Sequence, residues 1–188
     1  MFSDFQIKLN EFFKDDGGTA TIEFVLWFPL LMFWLFGIVV FFDAFKSRGA
    51  LISANTIVAD IISRNSEVTE NYIDLLQLLQ SSLLPKTSGG GLRISSILYT
   101  VDPDIVNDPG TYTVQWSGIA GSATIVLEDD DIQVSDLPEM YSSETVLLVE
   151  SFVPYVPMTR YVGMTITTLR RTIAISPRYD SRVVWVNE

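Results

Sequence analysis

Glu23 stands directly against nineteen residues, Phe24 to Phe42, that carry no charged side chain. An acid at the centre of a membrane helix costs roughly 2.5–3.5 kcal/mol, and less near the interface. A carboxylate in that position is therefore a functional expectation, and it needs a partner. Gly18 precedes Glu23 by five residues and closes a polar leader ending Asp15-Asp16-Gly17-Gly18. Two further charged groupings could do chemistry. Glu128-Asp129-Asp130-Asp131 offers oxygen ligands for calcium, but adjacent acids repel one another and the run lacks the alternating spacing and central glycine of a calcium loop. Arg170 and Arg171 are neighbours in a strand-like stretch, so they should point to opposite faces, one as a surface charge and one pairing with an acid.

Several chemistries are excluded. The chain has no His and no Cys, which removes His-based triads, the common zinc sites and any disulfide framework. No Ser or Lys stands in a recognisable nucleophile motif, and Gly89-Gly90-Gly91 is not followed by the Lys-Ser/Thr of a phosphate-binding loop. No enzymatic activity and no cofactor are implied. Net charge is −11, and residues 50–188 hold 17 acids against 8 bases, so nucleic acid is not an expected partner.

The element that must carry Glu23 is a helix. As a helix the apolar run is about 28 Å long at roughly 1.5 Å per residue, enough to cross a hydrocarbon core of about 30 Å. A lone segment in lipid has to satisfy its own backbone, which a helix does. Pro29 removes one donor inside the run and should bend the helix there. Residues 1–18 form a short leader in which Phe5, Leu9, Phe12 and Phe13 recur at helical spacing. The leader is net acidic and the apolar run is long and bulky, which favours a retained anchor over a cleaved export signal.

The pattern of Gly18, four residues, Glu23 and a hydrophobic helix resembles the processing site of type IV prepilins and pseudopilins. The wider string through Phe24 to Pro29 resembles the TadE/TadG group of pseudopilins in tight-adherence pilus systems. The resemblance implies that a prepilin peptidase cuts between Gly18 and Thr19. It also implies that Glu23 then pairs with the free amine of a neighbouring subunit during assembly. The expected partners are membrane lipid, the peptidase, other pilin or pseudopilin subunits and the assembly platform. The expected location is the bacterial inner membrane, single-pass, with the leader cytoplasmic and the bulk of the chain extracytoplasmic. Lys46 and Arg48 follow the span, and the positive-inside rule taken alone would favour the reverse orientation. The alternative is an uncleaved single-pass anchor that presents an extracytoplasmic binding domain.

The expected layout is a leader at 1–18, a transmembrane helix at 19–43, an amphipathic helical segment at 44–85 and a β-rich domain at 86–188. Ala50, Leu51, Ala54, Ile57, Val58, Ile61 and Ile62 mark one face of a helix continuing from the membrane, with Asn55, Asp60 and Arg64 on the opposite face. Asn65 or Ser66 should cap a second helix that holds Tyr72, Ile73, Leu75, Leu76, Leu79 and Leu83 and ends by Pro85. That helix should bury its stripe on the domain's own sheet.

Gly89-Gly90-Gly91 reads as a connector. Strands are expected at Leu92–Val101, Thr111–Ser117, Ala123–Leu127, Thr145–Val153 and Val162–Ser176, with an edge at Arg182–Val186. The second and third should form a hairpin across Gly118 and Gly121. Pro154 and Pro157 should stop the fourth, which is apolar enough to be buried on both faces. Tyr155, Tyr161 and Trp185 read as packing residues. The fold class is α+β: an N-terminal transmembrane helix continuing into amphipathic helices, then a small antiparallel sheet.

Overall fold

The computed structural model describes residues 19–85, 89–105, 108–157 and 166–187. The leader at 1–18, Tyr161 and the first residues of the expected Val162–Ser176 strand lie outside them. The chain divides between Phe42 and Asp43 into two compact units. Helix α1 runs Thr19–Ser63 and stays helical through Pro29. In the first unit most of its apolar side chains are exposed, from Ile22 at 70% to Phe42 at 71%, with Val40 the buried exception. A helix apolar on every side has no soluble face to offer, and among the described residues it is the one long and apolar enough to cross a membrane.

The second unit is α+β. Strand β1 is Glu67–Val68, helix α2 is Glu70–Leu83, and strands β2 Gly91–Thr100, β3 Thr111–Gly121, β4 Glu144–Tyr155 and β5 Thr167–Ile175 follow, with β6 Val184–Trp185 last. The main sheet is antiparallel in the order β3-β2-β4-β5. One face carries Leu92, Ile94, Ala120, Leu147 and Val149, and these pack with Val58, Ala59 and Ile62 of α1 and Ile73 and Leu76 of α2. The other face carries Ile97 and Leu148, covered by Leu127, Ile132 and Leu137 from the connection between β3 and β4. β4 is therefore buried on both faces, as its largely apolar sequence requires.

Five sequence expectations are corrected. Helix α2 is capped by Thr69, whose hydroxyl accepts from the Tyr72 amide at 3.3 Å, and not by Asn65 or Ser66. The residues before Thr69 are occupied elsewhere: Glu67–Val68 pairs in parallel with Val184–Trp185, and Asn65 donates to the Tyr72 hydroxyl.

The hairpin across Gly118 and Gly121 does not form. Thr111–Gly121 is one strand, paired with β2 along its length from Thr100↔Thr111 to Gly91↔Gly121. A bulge opposite Ser96/Ile97 switches the alternation, so Val114 and Trp116 point to opposite faces. Gly118 is a packing glycine: an added Cβ would collide with Ile73 Cδ1 and stand 2.7 Å from Trp185 Cζ3. Ala123–Leu127 is not a strand, and it leaves the sheet edge to cover the second core.

Pro154 does not stop β4, which runs to Tyr155. β2 ends at Gly91, opposite Phe152, so past that point β4 borders β5 alone and an imino nitrogen can face the open side. Asn55, expected on the solvent face of α1, is fully buried.

Candidate functional site

Glu23 is exposed on α1, with Ile22, Phe24, Val25 and Leu26 around it each more than 60% exposed. Phe24 and Phe28 stack one turn apart, 5.2 Å between ring centres. The carboxylate therefore stands at the start of the apolar run, exposed beside Ile22, Phe24, Val25 and Leu26. Pro29 lies a turn and a half further along α1. Gly18 lies outside the described residues, and α1 includes Thr19.

The acidic run is organised for structure. Asp129–Asp131 forms a 3-10 turn, and Asp129 Oδ1 accepts from the Val114 amide of β3 at 2.6 Å. Glu128, Asp130 and Asp131 are exposed, and among the described residues no group of three or more His, Cys, Asp or Glu side chains is placed to hold a metal ion.

Residues 18–54 match the TadE-like protein family. The TadE-like stretch opens on Gly18, takes in Glu23, Pro29 and the whole apolar run, and ends on Ala54, where α1 packs in the second unit. No curated protein and no solved structure gives a match. The likeness thus rests on the segment that carries Glu23, while the sheet lies beyond the TadE-like stretch.

Two buried polar assemblies were not found by sequence reasoning. Glu150 is fully buried in β4; its Oε2 lies 2.6 Å from Arg93 Nε and its Oε1 2.6 Å from Arg170 Nη2. Both guanidiniums also lie over the Phe152 ring, at 5.6 and 5.7 Å from its centre. Of the Arg170-Arg171 pair, Arg170 is thus the partner for an acid. The available signal was a lone acid inside the apolar strand Thr145–Val153, which demands a cation beside it.

The second assembly joins both helices to the sheet. Asn55 Nδ2 donates to the carbonyls of Val149 and Arg171 at 3.3 and 3.2 Å. Its Oδ1 accepts from Ser151 Oγ at 2.7 Å, and Gln80 Nε2 also donates to Ser151. Asn55, Gln80 and Ser151 are all buried, and their mutual bonds fix how both helices lie on the sheet.

Proposed function

We propose that this protein is a TadE-like, pseudopilin-type structural subunit of a tight-adherence pilus system, held in the bacterial inner membrane by α1. The observation that carries the reading is the family match beginning at Gly18, together with an exposed carboxylate five residues later on an otherwise apolar helix. In this reading a prepilin peptidase cuts between Gly18 and Thr19. The leader at 1–18 stays cytoplasmic and the unit from Asp43 onward lies outside the cytoplasm.

The new amine at Thr19 and the Glu23 carboxylate of a neighbouring subunit then neutralise each other within the membrane. Neither charge would be tolerated there alone, so subunits join with their helices in one relative position. Pro29 bends the helix below the packing surface. The role is structural, and the protein is the peptidase's substrate.

Mass spectrometry of the protein extracted from its host membrane tests the reading. A mature chain beginning at Thr19 is expected. A chain that keeps its leader makes it an uncleaved anchor instead.

A further inference from the structure

Two exposed surfaces stand on opposite flanks of the second unit. Helix α2 lies over β3 and β2, toward the β3 edge of the sheet, and β5 is the other edge. Ile73, Leu76 and Gln80 are the buried side of α2. Leu75 and Leu78 stand on the side away from them, 62% and 63% exposed, with Asp74 exposed at their flank. Glu70 adds a second acid in the first turn, and α2 holds no base. Two leucines one turn apart, rimmed by acids, are a helix face that its own unit leaves uncovered.

On the β5 flank a cleft of about 320 Å³ opens between α1 and β5. Arg48 and Ile52 of α1 and Leu169 and Arg171 of β5 line it, together with the buried Leu51. Arg171 shares the α1 side of the sheet, because it pairs opposite Ser151, whose hydroxyl donates to Asn55. Arg48 stands two turns before Asn55 on the same face of α1. Both arginines are exposed, and neither forms an ion pair with another described residue. No acid lines the cleft. Arg170 also lines it, but Glu150 and the Asp131 of the neighbouring groove balance Arg93 and Arg170. Asp43 accepts from the Tyr155 hydroxyl and is offset by Lys46 on the same helix. Arg48 and Arg171 thus leave the cleft with two positive charges, in a unit whose residues 50–188 are acidic overall.

We propose that the α2 face of one copy of this chain docks in the α1–β5 cleft of a second copy, with Leu75 and Leu78 against Ile52 and Leu169, and Asp74 facing Arg48 and Arg171. The two surfaces match in charge, acid rim to basic walls, and each offers apolar side chains at its centre. They lie on different flanks, so the contact is heterologous: each copy in a pair keeps one surface free, and copies add in a row. Both surfaces belong to the second unit, and the contact needs neither cleavage after Gly18 nor Glu23.

The chain has no cysteine, so single cysteines report contacts cleanly. The test uses the full chain in detergent micelles, one preparation carrying Leu78→Cys and another Ile52→Cys, mixed and treated with a short bismaleimide. A linked pair is expected in the mixture and in neither preparation alone. Adding Arg171→Glu to the Ile52→Cys chain sets an acid against Asp74 and should lower the yield about 10-fold. Adding Asp74→Arg to the Leu78→Cys chain as well should restore it, which happens only if the two residues meet across copies. Both are exposed side chains, so these changes leave the core intact. Linking of Leu78→Cys chains to one another at equal yield overturns the proposal, since the leucine face would then meet its own copy in a two-fold pair. A mixture without linked product, a yield indifferent to Arg171→Glu, or an exchange of charges that restores nothing also overturns it.

Discussion

Arg93 and Glu150 face each other across the β2–β4 ladder, with 2.6 Å between Nε and Oε2. The register also sets Phe152 opposite Arg170 on the next strand, so three charges and one ring share a sheet face. Glu150 is wholly buried, which makes the carboxylate dependent on both arginines. Glu150→Gln keeps the shape and removes the charge, leaving Arg93 buried without its counter-ion. The expected loss is about 3–5 kcal/mol of domain stability. Urea unfolding followed by tryptophan fluorescence measures it. A loss under about 1 kcal/mol would mean that water reaches the arginines and the pair behaves as a surface one.

Asn55 bonds to two strands through one amide, and its loss should be felt by α1, α2 and β4 together. Asn55→Leu is expected to cost about 2–4 kcal/mol, because the Val149 and Arg171 carbonyls and the Gln80 and Ser151 side chains all lose a buried partner. Asp60 is the comparison. It bridges Arg64 and Arg178 at 3.0 and 3.1 Å, but all three side chains are well exposed. Asp60→Asn should cost about 0.5 kcal/mol or less. The ratio of the two losses, from denaturant midpoints at matched slopes, checks whether burial or bond count governs this domain.

These two sites show what was legible in the chain. The membrane helix, α2 and strands β2, β4 and β5 declare themselves, because each depends on local spacing of apolar residues. What was hidden depends on partners distant in sequence. Asn55 reads as a solvent residue of an amphipathic helix until Ser151 arrives beneath it. Gly118 reads as a turn until Ile73 and Trp185 close over it, and the bulge after Ser96 breaks the alternation that would have marked one long strand. Thr69 loses to Asn65 as a cap on sequence alone, since the pairing that claims Glu67 and Val68 comes from Val184 and Trp185 near the end of the chain. Glu23 stands out in the sequence because its surroundings are local: a charge against an apolar run.

Tyr155 gives a pH test. Burial, and then its hydrogen bond to Asp43 at 3.1 Å and that residue's negative charge, push the phenol above its usual 10.0. A folded-state value above the unfolded one means the proton is held more tightly in the fold. The contribution is thus complete below pH 10.0 and is lost as pH rises through the higher folded value. Tyr155→Phe cannot ionise, so the stability difference between wild type and variant should be flat from about pH 7 to about pH 9.5 and shrink above it. Paired denaturation midpoints across that range measure the difference. A constant difference at every pH would show that the phenol ionises as freely in the fold as outside it.

Orientation follows from the proposed processing. A phosphatase joined after Glu188 should be active in intact cells if residues from Asp43 onward lie outside the cytoplasm. Lys46 and Arg48 pull the other way, each favouring the cytoplasmic side. Replacing both with Gln should raise the phosphatase signal or leave it unchanged. A silent phosphatase beside a fluorescent cytoplasmic reporter at the same junction would reverse the orientation and remove the peptidase from the scheme.

Under the proposed scheme, Glu23 should separate insertion from assembly. The Glu23→Leu change removes a charge from a helix face that is otherwise apolar, so the isolated subunit should enter the membrane at least as well as wild type. Cleavage after Gly18 should largely persist, since the scissile bond is on the leader side of the apolar run. Assembly should fail, because the Thr19 amine of a neighbour loses the carboxylate that neutralises it, and a charge stranded in lipid costs several kcal/mol. Glu23→Asp keeps the charge on a shorter arm and should assemble at an intermediate level. Glu23→Gln keeps the length without the charge and should resemble the Leu variant if pairing is ionic, or wild type if one hydrogen bond suffices. Crosslinking between subunits, read together with the N-terminal mass of each variant, distinguishes these cases. Normal assembly of Glu23→Leu would reduce Glu23 to an interfacial residue and end the charge-pairing mechanism.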